Sequence, residues 1–154
     1  MLQPGLHYTP QEVLPHSGAM CLIDRIDGYG DDWIESSVQV PPQSVVHSTR
    51  AGVPAWIGLE YMAQTVAAYS GIEMRQRGLQ PSVGLLIGTR RYQAQLPHFE
   101  PGWWLRVRAR MLMRDESNLV VFDCHILRQD QILASAEVKA YRPDNIQDFL
   151  ENES

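Results

Sequence analysis

Residues 52–71 read Gly-Val-Pro-Ala-Trp-Ile-Gly-Leu-Glu-Tyr-Met-Ala-Gln-Thr-Val-Ala-Ala-Tyr-Ser-Gly, and the architecture of the chain follows from them. Pro54 suits the first turn of a helix, where its missing N–H would have no intrahelical partner. No proline follows until Pro81, so the sequence predicts a helix over 54–76. Apolar residues repeat at helical spacing and leave scarcely any polar face before Glu73. A helix that is apolar on most sides must be covered on most sides.

The segments on both sides of this helix have the patterns of β-strands. We predict strands over 20–26, 33–40, 82–92, 105–113, 119–128 and 132–142, with breaks over 27–32 and 96–102. Short links make the last strands antiparallel. One apolar helix beside one antiparallel sheet is best covered when the sheet wraps around it, which is the hotdog arrangement of an α+β fold. We expect five to seven strands and a dimer, because the open sheet edge needs a partner.

Composition narrows the class of protein. A chain of 154 residues with 44% hydrophobic residues can build one domain, and we expect one domain over 1–154 with an N-terminal segment, 1–16, and a C-terminal tail, 143–154. The formal net charge of −5 argues against a general nucleic-acid binder. Without a run of 18 apolar residues or a signal peptide, we expect a cytoplasmic protein that does not enter a membrane. Cys21 and Cys124 suit neither a disulfide scaffold nor a metal site.

One carboxylate, Glu60, stands among the apolar residues of the helix. We expect it to be buried, which would raise its pKa and suit a general acid. An ordinary exposed helix glutamate is the simple alternative. Gln64 lies one turn later, where it can hydrogen-bond Glu60, or instead tie the helix to a neighbouring backbone.

Two stretches resemble the bacterial 3-hydroxyacyl-acyl-carrier-protein dehydratases, which are hotdog enzymes. Residues 14–26, Leu-Pro-His-Ser-Gly-Ala-Met-Cys-Leu-Ile-Asp-Arg-Ile, are similar without a gap to that family's Leu-Pro-His-…-Leu-Val-Asp-Arg-Val segment. Residues 54–64, Pro-Ala-Trp-Ile-Gly-Leu-Glu-Tyr-Met-Ala-Gln, resemble its Pro-Gly-Val-Leu-x-x-Glu-Ala-Met-Ala-Gln helix. The Gly-Val-Pro-Ala-Trp and Glu-Tyr-Met-Ala-Gln segments resemble most the branch associated with aryl-polyene gene clusters.

The resemblance implies a catalytic pair made of the helix glutamate, here Glu60, and a loop histidine. The family's loop histidine stands 14 residues before the glutamate, where this chain has Val46, and His47 follows one residue later. The family's His-Phe-Pro-Gly is replaced by His-Ser-Thr-Arg. His16 matches another family histidine and can approach the same cleft. Both histidines are therefore candidates for the base, a role that imidazole fills near neutral pH.

The start of the helix is the candidate substrate-binding element. We expect the amides of Ala55 and Trp56 to be unpaired and to point off the positive end of the helix. With Gly52, Val53 and Gln64 they would bind the acyl thioester and stabilise the enolate-like charge on its carbonyl oxygen. Plain helix capping is the alternative.

The resemblance implies a dehydratase that converts a 3-hydroxyacyl thioester of acyl carrier protein to the trans-2-enoyl thioester in fatty-acid or polyene-type biosynthesis, without a metal or another cofactor. The implied partners are the acyl carrier protein and a second copy of the chain, as a homodimer or a higher oligomer. Two alternatives remain: a hotdog acyl thioesterase in which Glu60 activates water, and a non-catalytic acyl-carrier-binding subunit. Arg106, Arg108 and Arg110 share one strand face, which is either a solvated surface or a landing patch for an acidic carrier.

Overall fold

The structure, a computed structural model, describes residues 2–15, 18–42, 52–79 and 85–142. Its long strands are β1 (Arg25–Gly30), β2 (Trp33–Gln39), β4 (Leu86–Ala94), β6 (Trp104–Arg114), β7 (Leu119–Arg128) and β8 (Gln131–Tyr141). Two short strands are β3 (Val53–Pro54) and β5 (His98–Phe99), and the helices are α1 (Pro10–Val13) and α2 (Gly58–Gln76). Two 3₁₀ turns span Gly18–Met20 and Ala55–Ile57.

The long strands form one antiparallel sheet in the order β1-β2-β6-β7-β8-β4, and β3 pairs separately with β5. Helix α2 packs against β2, β4, β6, β7 and β8, so the sheet covers it on most sides. Alternate residues of β6 point into this core, namely Leu105, Val107 and Ala109. The hotdog fold and the strand number predicted from the sequence are confirmed.

A few polar contacts fix the helix on the sheet. The buried hydroxyls of Thr65 on α2 and Ser36 on β2 lie 2.7 Å apart, and Thr65 also donates to the carbonyl of Tyr61. Helix α1 crosses α2 at Gly71, where any side chain would overlap the carbonyl oxygen of Val13. The hydrogen bond between Thr65 and Ser36 and the close contact at Gly71 thus fix the position of α2 against the sheet and against α1.

Helix α1 has an N-terminal cap, and the first strand begins later than predicted. Thr9 caps α1 in a capping box with Glu12. The predicted strand over 20–26 starts only at Arg25 and runs to Gly30, so the turn predicted over 27–32 shrinks to two residues. Gly30 lies so close to the indole of Trp33 that it has no room for a side chain. Glycine here serves the close packing of a hairpin rather than a wide turn.

The long helix begins at Gly58, four residues after the predicted start. Pro54 lies in β3, where it pairs with His98 of β5, and the turn at 55–57 connects this strand to α2. The segment 96–102, predicted as a simple break, therefore contains a strand. The pairing with β5 holds Pro54 in an extended conformation, which a helix cannot include.

Strand β4 is an edge strand, although its aliphatic residues are typical of a strand that is buried on both faces. Among the described strands it pairs only with β8, and Leu86, Gly88 and Arg90 are exposed. A bulge interrupts its register at Arg91, which adopts a positive φ of 57°. Residues 82–84, at the predicted start, lie outside the described residues. No helix of the described chain is long and apolar enough to span a bilayer.

Candidate functional site

The N-terminal end of α2 is held in place by β4 and by the link that follows it. The Tyr92 hydroxyl of β4 donates to the carbonyl of Ala55, and its ring lies over Gly58, where a side chain would overlap the tyrosine oxygen. The N–H of Ala55 donates to the carbonyl of Pro97 at 2.9 Å. Three contacts therefore fix the turn that precedes the helix. Neither Tyr92 nor Pro97 carries a sequence motif that predicts this role.

The bond from Ala55 to Pro97 corrects one expectation. The Ala55 amide is not unpaired, so it cannot also bind a carbonyl oxygen of a substrate. Trp56 is the second residue of the turn, where a backbone N–H still has no partner inside the turn. The Trp56 side chain is 63% exposed at the same end of the helix.

Gly52 and Val53 lead into the turn and serve mainly its geometry. Gly52 has a φ of +77°, and a side chain there would overlap the carbonyl oxygen of Phe99. Only glycine meets both conditions. Val53 is half-buried in β3 and pairs with Phe99. Both residues thus bring the chain close to β5 before the helix starts.

Glu60 lies in the first turn of α2 and lines a cleft of about 340 Å³ beside β4. In the single chain its side chain is exposed, so the burial predicted from its apolar neighbours is wrong for the chain on its own. The apolar neighbours belong to other faces of the helix, whereas Glu60 faces the cleft beyond the sheet edge. The other residues that line the cleft are Leu59, Ala63, Gln64, Leu85, Ile87 and Thr89.

Gln64 is the buried polar residue at the base of this cleft, with only 1% of its surface exposed. Its amide nitrogen donates to the carboxylate of Glu60 at 3.1 Å and to the carbonyl of Met20 at 2.8 Å. Its oxygen accepts the N–H of Leu22 at 2.9 Å. Both roles considered for Gln64 are thus present together. The amide orients Glu60 and ties the helix to the segment 20–22.

The two histidines proposed as the base, His16 and His47, lie outside the described residues. The segment bound by Gln64 begins four residues after His16, and β3 begins six residues after His47. The other histidines stand away from the Glu60 cleft. His7 and His98 are exposed, and His125 lies on β7, 3.9 Å from Asp123.

The arginines of β6 form ion pairs on the outer face of the sheet. Glu35 of β2 binds Arg106 at 3.4 Å and Arg108 at 3.0 Å. Arg110 stands opposite Asp123 in the register of β6 and β7. The row is thus largely neutralised by its neighbours, which favours the solvated sheet face over the landing patch.

Comparisons with known proteins agree with the fold and identify a family. The family model ApeP-like, described as ApeP dehydratase, matches residues 8–151. The dehydratase heterocomplex ApeI:P from Xenorhabdus doucetiae is similar with a TM-score of 0.82 and 23% identity, over 97% of this chain and 100% of that chain. Protein PH1136 from Pyrococcus horikoshii is similar with a TM-score of 0.63 and 9% identity, over 94% and 97% of the two chains.

A third similar structure is a mutant of the thioesterase SAV0944 from Staphylococcus aureus. Its TM-score is 0.53 and its identity 13%, over 77% of this chain and 91% of that chain. At these identities the solved structures show a shared fold and no more. No curated protein sequence matches the chain significantly.

Proposed function

The chain belongs to the ApeP-like dehydratase family, and from this premise we propose that it removes water from a 3-hydroxyacyl thioester carried by acyl carrier protein, in the cytoplasm. The product is the trans-2-enoyl thioester, formed in fatty-acid or polyene-type biosynthesis. In this reaction a C2–H bond and the C3–O bond break, a C2=C3 double bond forms, and water leaves. The observation that carries the proposal is a carboxylate, Glu60, held by a buried amide in a cleft at the N-terminal end of α2.

Glu60 is the proposed general acid. It would donate a proton to the departing C3 hydroxyl, which is a poor leaving group as hydroxide. Gln64 supports this role because its donated hydrogen bond fixes the direction of the carboxylate without adding a charge. A carboxylate in the first turn of a helix is also at the end that stabilises a negative charge, which favours the carboxylate that remains once the proton has been donated.

A histidine is the proposed base that removes the C2 proton. His16 is supported by the hydrogen bonds of Gln64 to Met20 and Leu22. These bonds hold residues 20–22, which follow His16 in the chain, one helical turn from Glu60. His47 is supported by the family's loop position and by the approach of β3 to the start of α2. In a dimer this loop could reach the helix of the partner. We propose that one of these two imidazoles completes the site.

The amide of Trp56 is the proposed electrophilic group. It is the second N–H of the turn that leads into α2, after the N–H of Ala55 that bonds Pro97, and it lies at the positive end of the helix. A hydrogen bond from this amide to the thioester oxygen would stabilise the negative charge that grows when C2 loses its proton. Ala55 contributes by holding the turn, through Pro97 and Tyr92, rather than by binding the substrate itself.

The proposed functional unit is a homodimer joined along β4. In the described chain, β4 is bonded to β8 only, and an open edge with aliphatic residues is a surface that proteins normally cover. Because one similar structure is a dehydratase heterocomplex, a second hotdog subunit of different sequence is the alternative partner. Light scattering on the purified chain distinguishes a dimer from a monomer that waits for another subunit.

The product formed from a 3-hydroxyacyl carrier protein tests the function. Intact-mass spectrometry after incubation should show the carrier lighter by one water. Release of the bare carrier with a free acid would instead select the thioesterase. If a folded dimer leaves the mass of the acylated carrier unchanged, the chain is a non-catalytic acyl-carrier-binding subunit.

A further inference from the structure

Thr89 is a half-buried polar residue on the β4 wall of the Glu60 cleft. In the register of the sheet it stands opposite Val138, and Ile87 stands opposite Ala140, both of which are buried. Because cross-strand partners point to the same face, the side chains of Thr89 and Ile87 face α2. A β-branched residue suits a strand, but valine would serve that purpose equally well. The strand therefore does not explain the hydroxyl.

Three polar side chains of the described chain line the cleft, Glu60, Gln64 and Thr89, and they differ in the hydrogen bonds that they already make. The amide of Gln64 donates to Glu60 and to Met20, and its oxygen accepts the N–H of Leu22. Within the part of the chain that the structure describes, the Thr89 hydroxyl makes no hydrogen bond to another residue. It can therefore donate to, or accept from, a molecule in the cleft.

The residues on either side of Thr89 give the cleft a direction. Tyr92 follows three residues later and bonds the carbonyl of Ala55, so Thr89 lies on the side of the cleft that is nearer the start of α2. Ile87 and Leu85 continue the same wall away from that end, and both are apolar. An extended acyl chain with its thioester near the start of α2 would therefore pass Thr89 first and these two residues afterwards.

We propose that Thr89 binds the C3 hydroxyl of the substrate and makes the cleft specific for 3-hydroxyacyl chains. The C3 oxygen lies between Glu60 and Thr89. It donates its hydrogen to the threonine oxygen, which leaves a lone pair directed at the proton of Glu60. The aliphatic carbons beyond C3 pack on Ile87 and Leu85. This assignment rests on the proposed function, because it names the group of that substrate which Thr89 recognises.

Two inert probes that differ only in the hydroxyl test the binding. S-(3-Hydroxydecyl)-N-acetylcysteamine and S-decyl-N-acetylcysteamine are thioethers, so they lack the carbonyl that acidifies C2 and cannot react. Calorimetry measures both dissociation constants for the unmodified protein and for Thr89→Val. The substitution should weaken the hydroxylated probe about fivefold, which corresponds to one neutral hydrogen bond, and leave the plain probe unchanged. An equal change for both probes, no change for either, or no binding at all would overturn the proposal.

Thr89→Ser and Ile87→Val are the matched controls. Thr89→Ser keeps the hydroxyl, so the ratio of the two dissociation constants should stay that of the unmodified protein. Ile87→Val removes one methyl group from the same wall and should weaken both probes by the same factor, because their aliphatic chains are identical. If Thr89→Ser behaves like Thr89→Val, the residue acts through its shape and the proposal is wrong. Unchanged affinities in Ile87→Val would overturn the placement of the acyl chain.

Kinetics separate this inference from the proposed function. With a 3-hydroxyacyl carrier protein, Thr89→Val should raise KM about fivefold and change kcat by less than about twofold, because the bond to the C3 oxygen is present both before and during the departure of water. A loss of kcat with an unchanged KM would overturn the binding role. If the unmodified protein does not dehydrate the substrate at all, the proposed function fails, whereas the two probes still show whether Thr89 recognises a hydroxyl.

Discussion

Two glutamates at opposite ends of α2 differ in how their carboxylates are held. Glu73, near the C-terminal end, binds the Arg114 guanidinium through both oxygens at 2.9 Å. Glu60, in the first turn, accepts a hydrogen bond from the uncharged amide of Gln64 at 3.1 Å and faces a cleft. The helix thus carries one carboxylate bound by a guanidinium through both oxygens and one carboxylate oriented by an uncharged amide.

This difference indicates that the Glu60 end of α2 serves the reaction and the Glu73 end serves the stability of the fold. A general acid must present its proton to the substrate, and Glu73 cannot do so while both oxygens are occupied by Arg114. Hydrogen bonds with Glu73 also raise the pKa of Arg114, which strengthens the pair as a fixed charged unit. Glu60 is oriented but accessible, as an acid requires. We therefore expect changes at the N-terminal end to affect turnover, and changes at the C-terminal end to affect stability.

The largest effect on the dehydration rate is expected from the histidine that acts as the base. His16→Ala and His47→Ala should differ sharply, because only one imidazole can be close to the C2 proton. The variant that lacks the base should lose about 100-fold or more in dehydration rate, and the other should stay near the wild type. The measurement is the initial rate with a 3-hydroxyacyl carrier protein. Full activity in both variants would contradict the proposed pair.

A smaller effect on rate, with an effect on stability, is expected at Gln64. Gln64→Leu keeps the size of the side chain but removes its bonds to Glu60, Met20 and Leu22. The buried backbone groups then lack partners, so the free energy of unfolding should fall by about 2 kcal/mol, and the rate should fall roughly tenfold. Urea denaturation and initial rates measure the two quantities.

Gln76→Leu is the matched control for this variant, since Gln76 lies on the same helix and bonds Gln3 at the other end. It should leave the rate unchanged. An unchanged rate in Gln64→Leu as well would mean that the amide holds the fold only, and does not orient Glu60.

At the C-terminal end of α2, a substitution should change the free energy of unfolding and leave the dehydration rate unchanged. Glu73→Gln breaks the bidentate pair with Arg114 and should lower the free energy of unfolding by about 1 kcal/mol, because the pair is only partly shielded from water. The difference from the wild type should shrink at high salt, which screens the pair. The dehydration rate should not change. A loss of rate comparable to that of the histidine variant would remove the contrast between the two ends.

The smallest effect is expected at Tyr92, whose hydroxyl bonds the carbonyl of Ala55. Tyr92→Phe removes that bond at a cost of about 1 kcal/mol at neutral pH. Burial raises the pKa of Tyr92 to about 12, so the folded state favours the protonated phenol. The stabilisation is complete below pH 10 and is lost as the pH rises through 12. Unfolding curves at pH 7 and pH 11 should show a smaller alkaline loss for the phenylalanine variant.

The fold was largely predictable because its signals are local and periodic. The apolar repeat of α2 and the alternation of β6 each follow from the side of the element that faces the core. What the sequence could not predict depends on pairing between distant segments. Pro54 favours a helix start by itself, but its pairing with His98 holds it in a strand, and β4 is apolar although it lies at an edge.

The site was predictable in part, for the same physical reason. Glu60 and Gln64 are one turn apart in a motif, so their contact follows from helical geometry. The bond between Ala55 and Pro97 joins residues 42 positions apart, and no local pattern indicates it. The exposure of Glu60 likewise depends on where the sheet ends. Local spacing identifies the residues, whereas only the folded chain identifies their surroundings.

The central claim is that chemistry resides at the Glu60 end of α2, and one paired measurement tests it most directly. Glu60→Gln keeps the shape of the side chain and removes its proton, and Glu73→Gln makes the same change at the other end. Dehydration of a 3-hydroxyacyl carrier protein, followed by intact mass on protein of verified fold, should be slowed about 100-fold or more by Glu60→Gln and remain near normal in Glu73→Gln. Near-normal dehydration by a folded Glu60→Gln protein would contradict the account.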